Sequence, residues 1–205
     1  MADGNGRSGL GMADASEPFA LLDEWMEEAK LSELSDANAM ALATATAEGV
    51  PSVRIVLLKR YDAQGFCFYT NGDSRKGSEL RANAYAALCL HWKSRQRQVR
   101  VEGTVVELPA EDADEYFAGR QRMSQIGAWA SEQSQPLDSR EELIARTKEY
   151  EVMFPDEVPR PPYWTGFAVK PVTIEFWQEG AHRLHDRVLF TAGDNGSWTK
   201  QRLFP

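Results

Sequence analysis

The chain has 205 residues, 42% of them hydrophobic, and its 23 basic and 31 acidic side chains give a formal net charge of -8. This length is enough for one domain with a sizeable core, and a chain this acidic is a poor candidate for general binding to nucleic acid. Its apolar stretches are far shorter than the ~20 residues that span a bilayer, and it lacks the basic and apolar parts of a signal peptide. We therefore expect a cytoplasmic protein of enzyme size that does not bind membranes.

The first part of the chain separates into an arm and a helix. Residues 1–15 are rich in glycine, alanine, serine and aspartate, which predicts a disordered arm in which Met12 is a candidate alternative start. From Ser16 onward the apolar residues fall at helical spacing, which predicts an amphipathic helix capped by Ser16. We interpret residues 16–205 as a single domain.

The next part alternates apolar and polar residues and predicts a meander of strands. The predicted strands are 40–46, 51–59, 66–70, 86–92 and 98–108, around a short helix at 74–82. Cys67 and Cys89 lie inside such strands and have neither CxxC nor metal-ligand spacing. We therefore expect two reduced core cysteines and no metal site.

A helical insert follows at about residues 109–153. Pro109 and the acidic residues after it predict one helix to about residue 120, and Asp138 predicts the cap of another that runs to about residue 153. Further strands are predicted at 167–169, 172–178, 185–191 and 197–203. Strand-rich halves around helices, without a G-x-G-x-x-G turn, favour an antiparallel barrel in an α+β protein over a doubly wound sheet.

The densest polar run in the chain is HRLHDR at 182–187. In an extended strand Arg183, His185 and Arg187 would project to one face. A solvated strand edge is the simple alternative, and it is favoured for Arg187 taken alone. The neighbouring guanidinium and imidazole of Arg183 and His185 instead predict a site for anion binding and acid/base chemistry.

Three other basic sets are candidates for binding phosphate. Arg75 and Lys76 open the helix at 74–82, where free backbone N–H groups suit a phosphate dianion, although an ordinary solvated first turn is the alternative. Arg54 and Lys59 flank an apolar run, and from spacing alone they are better explained as cations that reach out to water. The third set has little meaning from spacing alone; it consists of Tyr116, Arg120 and Ser124.

Seven short segments together resemble the FMN-dependent pyridoxine/pyridoxamine 5'-phosphate oxidases. They are RIVLLK at 54–59, FYTN at 68–71, SRKG at 74–77, RQV at 97–99, SQIGAW at 124–129, EFWQ at 175–178 and RLHDR at 183–187. The resemblance runs from about residue 17 to the end of the sequence. It implies a split β-barrel homodimer with two FMN sites at the subunit interface, each built from both chains.

The resemblance also implies roles for particular residues. The implied FMN-binding residues are Arg54, Ile55, Val56, Leu57, Leu58, Lys59, Tyr69, Thr70, Arg75, Lys76, Gln98, Gln133, Ser134, Trp177 and Arg187. Gln133, Ser134, Trp177 and Arg187 are expected to come from the partner chain. The implied substrate-binding residues are Lys59, Tyr116, Arg120, Ser124, Arg183 and His185, and the last two are the implied catalytic residues.

The implied reaction is oxidation of pyridoxine or pyridoxamine 5'-phosphate at C4' to pyridoxal 5'-phosphate, as part of vitamin B6 synthesis. The electrons pass through FMN to O2, which gives hydrogen peroxide, and the amine substrate also gives ammonia. Two alternatives stay open: a flavin oxidase of the phenazine type, and a protein that binds FMN or pyridoxal phosphate without turnover. Residues 1–15 contain only Arg7 as a basic residue and no tyrosine, so closure of the site by this arm is not predicted.

Overall fold

The computed structural model describes Met12 and residues 14–205. These residues form an α+β fold with one antiparallel sheet and several α-helices. The strands are β1 Ala39–Ala45, β2 Pro51–Leu57, β3 Arg60–Asp62, β4 Gly65–Asn71, β5 Tyr85–Trp92, β6 Arg97–Glu107, β7 Trp164–Gln178, β8 Asp186–Ala192 and β9 Trp198–Arg202. The helices are α1 Pro18–Ser32, α2 Arg75–Ala82, α3 Ala110–Ala118, α4 Arg122–Ala130 and α5 Arg140–Met153.

Strand β7 is the point at which the sheet divides. One of its edges pairs with β6 along almost its whole length, whereas the other edge pairs first with β4 and then with β8. The main order of strands is β2-β1-β5-β6-β7-β4-β3, and β9 pairs with β8. Two strands therefore share one edge of β7, and the predicted antiparallel split barrel is confirmed.

The prediction of two strands at 167–169 and 172–178 is wrong, because β7 is one strand of 15 residues. Pro171 lies between the two predicted strands, and proline lacks the N–H that a sheet requires. The strand continues because β6 shifts its register between Glu102 and Gly103, opposite Pro171. Gly103 is needed there, since an added Cβ would lie 1.9 Å from the carbonyl oxygen of Lys170.

The main core lies between the curved sheet and α1. Leu21, Leu22 and Trp25 on α1 are almost fully buried, and the Trp25 ring packs edge-on against Phe176 of β7 at 5.2 Å. Burial of one such side chain stabilises the fold by roughly 1.5–3 kcal/mol. A second apolar cluster lies beneath α3 and α4, and it contains Phe117, Ile126, Val158 and Trp164.

Several predicted helix ends need correction. The residue that precedes α1 is Glu17 and not Ser16, and its side chain makes no capping hydrogen bond. Pro18 occupies the first turn, where its missing N–H costs nothing. Ser139 and not Asp138 caps α5, because its Oγ accepts a hydrogen bond from the backbone N–H of Glu142 at 3.1 Å. Helix α4 was not predicted as a separate helix, although it lies in the insert predicted at about 109–153.

The predicted arm over residues 1–15 lies mostly outside the described residues. Of its described part, Ala15 is buried, and its carbonyl oxygen accepts a hydrogen bond from Lys200 Nζ at 2.7 Å. Both cysteines are free; Cys67 is buried, whereas Cys89 is only partly so. In the described part of the chain no helix combines the length and apolar character needed to cross a membrane.

Candidate active site

A cavity of about 650 Å³ opens between β2, β4, α3 and α4, and we call it the main cavity. Many of the residues predicted from the resemblance line it. These are Ile55, Val56, Leu57, Lys59, Tyr69, Thr70, Lys76, Tyr116, Arg120, Ser124 and Gln133. The fold therefore brings the predicted substrate-phosphate residues and part of the predicted flavin site into one cleft.

Arg120 places an unsatisfied hydrogen-bond donor in this cavity. Its Nη1 atom is buried and has no hydrogen-bond partner among the described residues. Its guanidinium carbon lies 4.1 Å from the centre of the Trp164 ring, and burial lowers the pKa of Arg120. A buried donor without a partner is costly, and an anionic ligand would satisfy it with a charge-assisted hydrogen bond.

Two tyrosines and a lysine lie on the same wall. Tyr69 of β4 and Tyr116 of α3 stack face to face, with ring centres 4.1 Å apart and an interplanar angle of 7°. Lys59 Nζ lies 5.6 Å from the centre of the Tyr116 ring. Gln125 of α4 donates to the carbonyl oxygen of Phe117 at 2.8 Å, which fixes α4 against the end of α3. Lys59 therefore shares one cavity with Tyr116, Arg120 and Ser124, a set that had little meaning from spacing alone.

A second cavity of about 390 Å³ adjoins the first and shares Ile55, Lys76 and Gln133 with it. It lies at the start of α2, where Lys76 is only 7% exposed and its Nζ donates to Ser74 Oγ at 3.0 Å. Burial and the charge of Arg54 lower the pKa of Lys76 to about 8. The solvated-turn alternative is therefore wrong for Lys76, although the side chain of Arg75 is 58% exposed.

The interpretation of Arg54 as a cation that reaches out to water is also wrong. Its guanidinium points into the protein and donates to the carbonyl oxygen of Leu42 at 3.1 Å, to Thr44 Oγ1 and to Ser52 Oγ. It also pairs with Glu79 at 3.3 Å. Sequence reasoning missed Glu79, because one more acid on a short helix carries no signal until its neighbours are known.

Gln133 and Ser134 were expected from the partner chain, but they contact the second cavity of their own chain. Gln133 Oε1 accepts hydrogen bonds from Lys76 Nζ and from Thr70 Oγ1. Ser134 Oγ accepts from the backbone N–H of Arg75 at 3.2 Å. The loop after α4 thus closes this cavity within one chain. Gln121 and Trp164 also line the main cavity, and sequence reasoning missed both.

The other predicted site residues form a separate cluster on β6, β7 and β8. Gln98 is opposite Trp177, which is opposite Arg187, and the ring of His185 lies 4.7 Å from that of Trp177. None of these residues, nor Arg183, lines either of the two cavities of its own chain. Leu58 also lines neither cavity, because it is buried in the core.

The predicted strand face with Arg183, His185 and Arg187 is wrong. Strand β8 begins only at Asp186, and Arg183 lies in a short 3-10 turn, Ala181–Arg183, with a φ of 63°. The turn is tight because Gly180 approaches the carbonyl of Leu184, where an added Cβ would lie 1.9 Å from the oxygen. The backbone N–H of Gly180 donates to His185 Nδ1 at 3.2 Å, which orients the imidazole.

The fold and the two cavities define a split-barrel protein with a cleft lined by cations. A family model described as "Pyridoxamine 5'-phosphate oxidase" matches residues 26–154, and one described as "Pyridoxine 5'-phosphate oxidase C-terminal dimerisation region" matches residues 164–205. The chain belongs to the pyridoxamine 5'-phosphate oxidase family. The match of its last segment to a dimerisation region indicates a homodimer.

Curated relatives and solved structures agree with this assignment. A pyridoxine/pyridoxamine 5'-phosphate oxidase of Erythrobacter litoralis is 58% identical over 93% of this chain and 92% of its own length. One of Maricaulis maris is 56% identical over 94% of this chain and 87% of its own length. The structure of PhzG from Burkholderia lata, in complex with tetrahydrophenazine-1-carboxylic acid, superposes with a TM-score of 0.87 at 34% identity, over 93% of this chain and 94% of that one.

Proposed function

We propose that this protein is an FMN-dependent oxidase that converts pyridoxine 5'-phosphate and pyridoxamine 5'-phosphate to pyridoxal 5'-phosphate, with O2 as the electron acceptor. The observation that carries this proposal is the buried, unpartnered Nη1 of Arg120 in a cavity that also contains Lys59. The adjoining second cavity holds three more cations. One cleft thus offers two separate phosphate sites, as a phosphorylated flavin and a phosphorylated substrate require.

The residues of the second cavity fit the phosphate of FMN. Arg54, Arg75 and Lys76 supply positive charge, and Arg75 and Lys76 open a helix whose N-terminus favours an anion. The exposed apolar side chain of Ile55 and the neighbouring main cavity suit the larger, less polar part of the cofactor. Bound FMN supplies the electron-accepting ring for the oxidation.

The cluster on β6, β7 and β8 completes each site across the dimer interface. Gln98, Trp177 and Arg187 lie outside the two cavities of their own chain. Trp177 and Arg187 fall in the segment that matches a dimerisation region. A second chain that places this cluster over the main cavity would bring Arg183 and His185 to the substrate ring, whose phosphate is held by the first chain.

The contribution of the protein to the reaction is then to bind and orient the substrate. Lys59, Arg120 and Ser124 hold the phosphate at one end, and Arg183 and His185 hold the pyridine ring at the other, which aligns C4' for oxidation. His185 Nδ1 accepts a hydrogen bond from Gly180. The neutral imidazole therefore carries its proton on Nε2 and presents a hydrogen-bond donor to the ligand.

Anaerobic mixing tests this function. The purified protein, loaded with FMN, is mixed with pyridoxine 5'-phosphate while the flavin absorbance is followed, and air is then admitted. We expect bleaching, and then recovery with formation of hydrogen peroxide and pyridoxal 5'-phosphate. Flavin that binds but never bleaches would contradict the proposed oxidase.

A flavin oxidase of the phenazine type is the second candidate, because the chain is 34% identical to PhzG of Burkholderia lata. A tricyclic substrate without a phosphate has no need for Arg120 or Lys59 at the far end of the cavity. Activity on such a tricycle, combined with none on pyridoxine 5'-phosphate, would favour this candidate instead.

A further inference from the structure

Glu79 lies directly beneath the second cavity and does not line it. Its side chain is only 5% exposed. One carboxylate oxygen accepts hydrogen bonds from Ser52 Oγ at 2.5 Å and from Thr44 Oγ1. The same oxygen pairs with Arg54 at 3.3 Å, and the other accepts from Arg75 Nε at 2.8 Å. Two cations of the cavity, on β2 and on α2, are thus joined through one buried carboxylate.

The carboxylate stays ionised in this environment. Burial by itself raises the pKa of Glu79, but the hydrogen bonds from Ser52, Thr44 and Arg75 outweigh it and lower the pKa to about 2. A buried charge of this kind persists only when it is paired and fully hydrogen-bonded. Glu79 is therefore a fixed negative charge at every pH near neutrality.

The network also determines which donors remain for a ligand. Arg75 donates a hydrogen bond from Nε to Glu79, whereas its two terminal nitrogens have no hydrogen-bond partner among the described residues. The cations Arg54, Arg75 and Lys76 surround the cavity, and with the single carboxylate of Glu79 the local charge is about +2. This charge matches a phosphate monoester dianion, which carries about -1.5 to -2 near neutral pH.

We propose that Glu79 is a positioning residue that holds Arg54 and Arg75 for the phosphate of FMN and so makes the site select FMN over riboflavin. This inference rests on the proposed function. Glu79 lines neither cavity, so it would contact neither the phosphate nor the isoalloxazine ring of bound FMN. Its loss should therefore weaken binding through the phosphate alone and leave binding of the ring unchanged.

The test compares the dissociation constants of FMN and riboflavin for the apoprotein, measured by flavin fluorescence. In Glu79→Gln we expect the constant for FMN to rise at least about tenfold, whereas that for riboflavin changes less than about twofold. The matched control is Glu107→Gln. Glu107 of β6 pairs at 2.9 Å with Arg81, which lies on α2 like Glu79, and Glu107 lines neither cavity. This control should behave like the wild type.

Thr44→Val is a second test that does not depend on the folding of the first variant. Thr44 is buried, lines neither cavity and donates to Glu79, so its hydroxyl acts on FMN only through the network. We expect a smaller loss of the same selectivity. Unchanged or tighter FMN binding in these variants, or an equal loss of both flavins, would overturn the inference. Failure of the wild type to bind FMN would instead contradict the proposed function.

Discussion

Arg120 contributes a buried donor to the main cavity that no described residue satisfies. Hydrogen bonds to charged groups are worth about 1.5–3 kcal/mol, so Arg120→Met should raise the KM for pyridoxine 5'-phosphate about 10- to 100-fold. FMN affinity should change much less, because Arg120 does not line the second cavity, where the FMN phosphate is proposed to bind. Steady-state kinetics and a flavin titration measure both.

The same substitution makes a second, independent prediction about stability. Removal of a half-buried charge whose Nη1 has no hydrogen-bond partner among the described residues should leave the Tm of the apoprotein unchanged or raise it. Arg122→Met is the control, because Arg122 is exposed and donates to the carbonyl of Asp156 at 2.7 Å, outside the cavity. A large loss of stability in Arg120→Met with an unchanged KM would mean that Arg120 is a structural residue.

We expect FMN binding to depend on pH through Lys76. In the FMN-free protein its pKa is lowered from 10.5 to about 8, first by burial and then by Arg54. The folded protein therefore binds fewer protons than the unfolded chain between these two values, and through Lys76 its stability rises with pH in this window. FMN binding responds in the opposite direction, because the phosphate dianion requires the protonated amine.

We therefore expect the dissociation constant for FMN to change little between pH 7 and 8 and to rise by up to about tenfold per pH unit above pH 8. Titrations from pH 7 to 9.5 measure this effect. Riboflavin, which has no phosphate, should show no such rise. Lys76→Met should bind FMN weakly at every pH, and its dissociation constant should no longer rise above pH 8. If this variant kept the rise, the pH dependence would belong to another group.

At the scale of the elements, most strands and helices could be predicted from the sequence because their hydrophobic periods are regular. Predictions of individual elements failed where tertiary contacts override the local conformational preference of the sequence. Two strands were predicted at 167–169 and 172–178, but β7 runs through Pro171 between them, because β6 shifts its register at Gly103. Alternation around Arg54 suggested an ordinary half-buried strand, yet Val53 and Ile55 are 68% and 66% exposed while Arg54 faces inward.

The turn between β7 and β8 is the element that positions His185. Gly180→Ala would place a Cβ 1.9 Å from the carbonyl oxygen of Leu184, so the turn must move. We expect kcat/KM to fall by up to about 100-fold, since a shift of about 1 Å in an orienting group has such an effect. Stopped-flow bleaching of bound flavin by pyridoxine 5'-phosphate measures this loss directly.

Gly119→Ala is the control for this turn. An added Cβ at Gly119 makes only ordinary contacts, the nearest at 3.7 Å from the carbonyl of Tyr116. This variant should bleach at the wild-type rate. If Gly180→Ala also did so, the close approach at Gly180 would have no role in orienting His185.

At the scale of the whole molecule, the proposed site is split between two parts of the chain. Motifs in the sequence identified both parts, but no spacing argument could show that Tyr116 and Arg120 share a cavity with Lys59, while Trp177 and His185 form a separate cluster. The residues of each group are far apart in the sequence, and only the fold brings them together. In the proposed dimer the two sets would form one site, and the proposed activity would then depend on dimerisation.

The exposed apolar face of β2 allows this dependence to be tested. Val53 projects to solvent in the single chain and lines the second cavity, and an apolar side chain so exposed on an edge strand is expected to be covered by a partner. Val53→Asp should therefore shift the protein toward monomer in analytical ultracentrifugation and, at saturating FMN, reduce turnover in proportion. Leu34→Asp is the control, because Leu34 is equally apolar and fully exposed after α1 but lines neither cavity. A monomeric Val53→Asp that kept full activity would show that one chain suffices, and would place Arg183 and His185 outside the site.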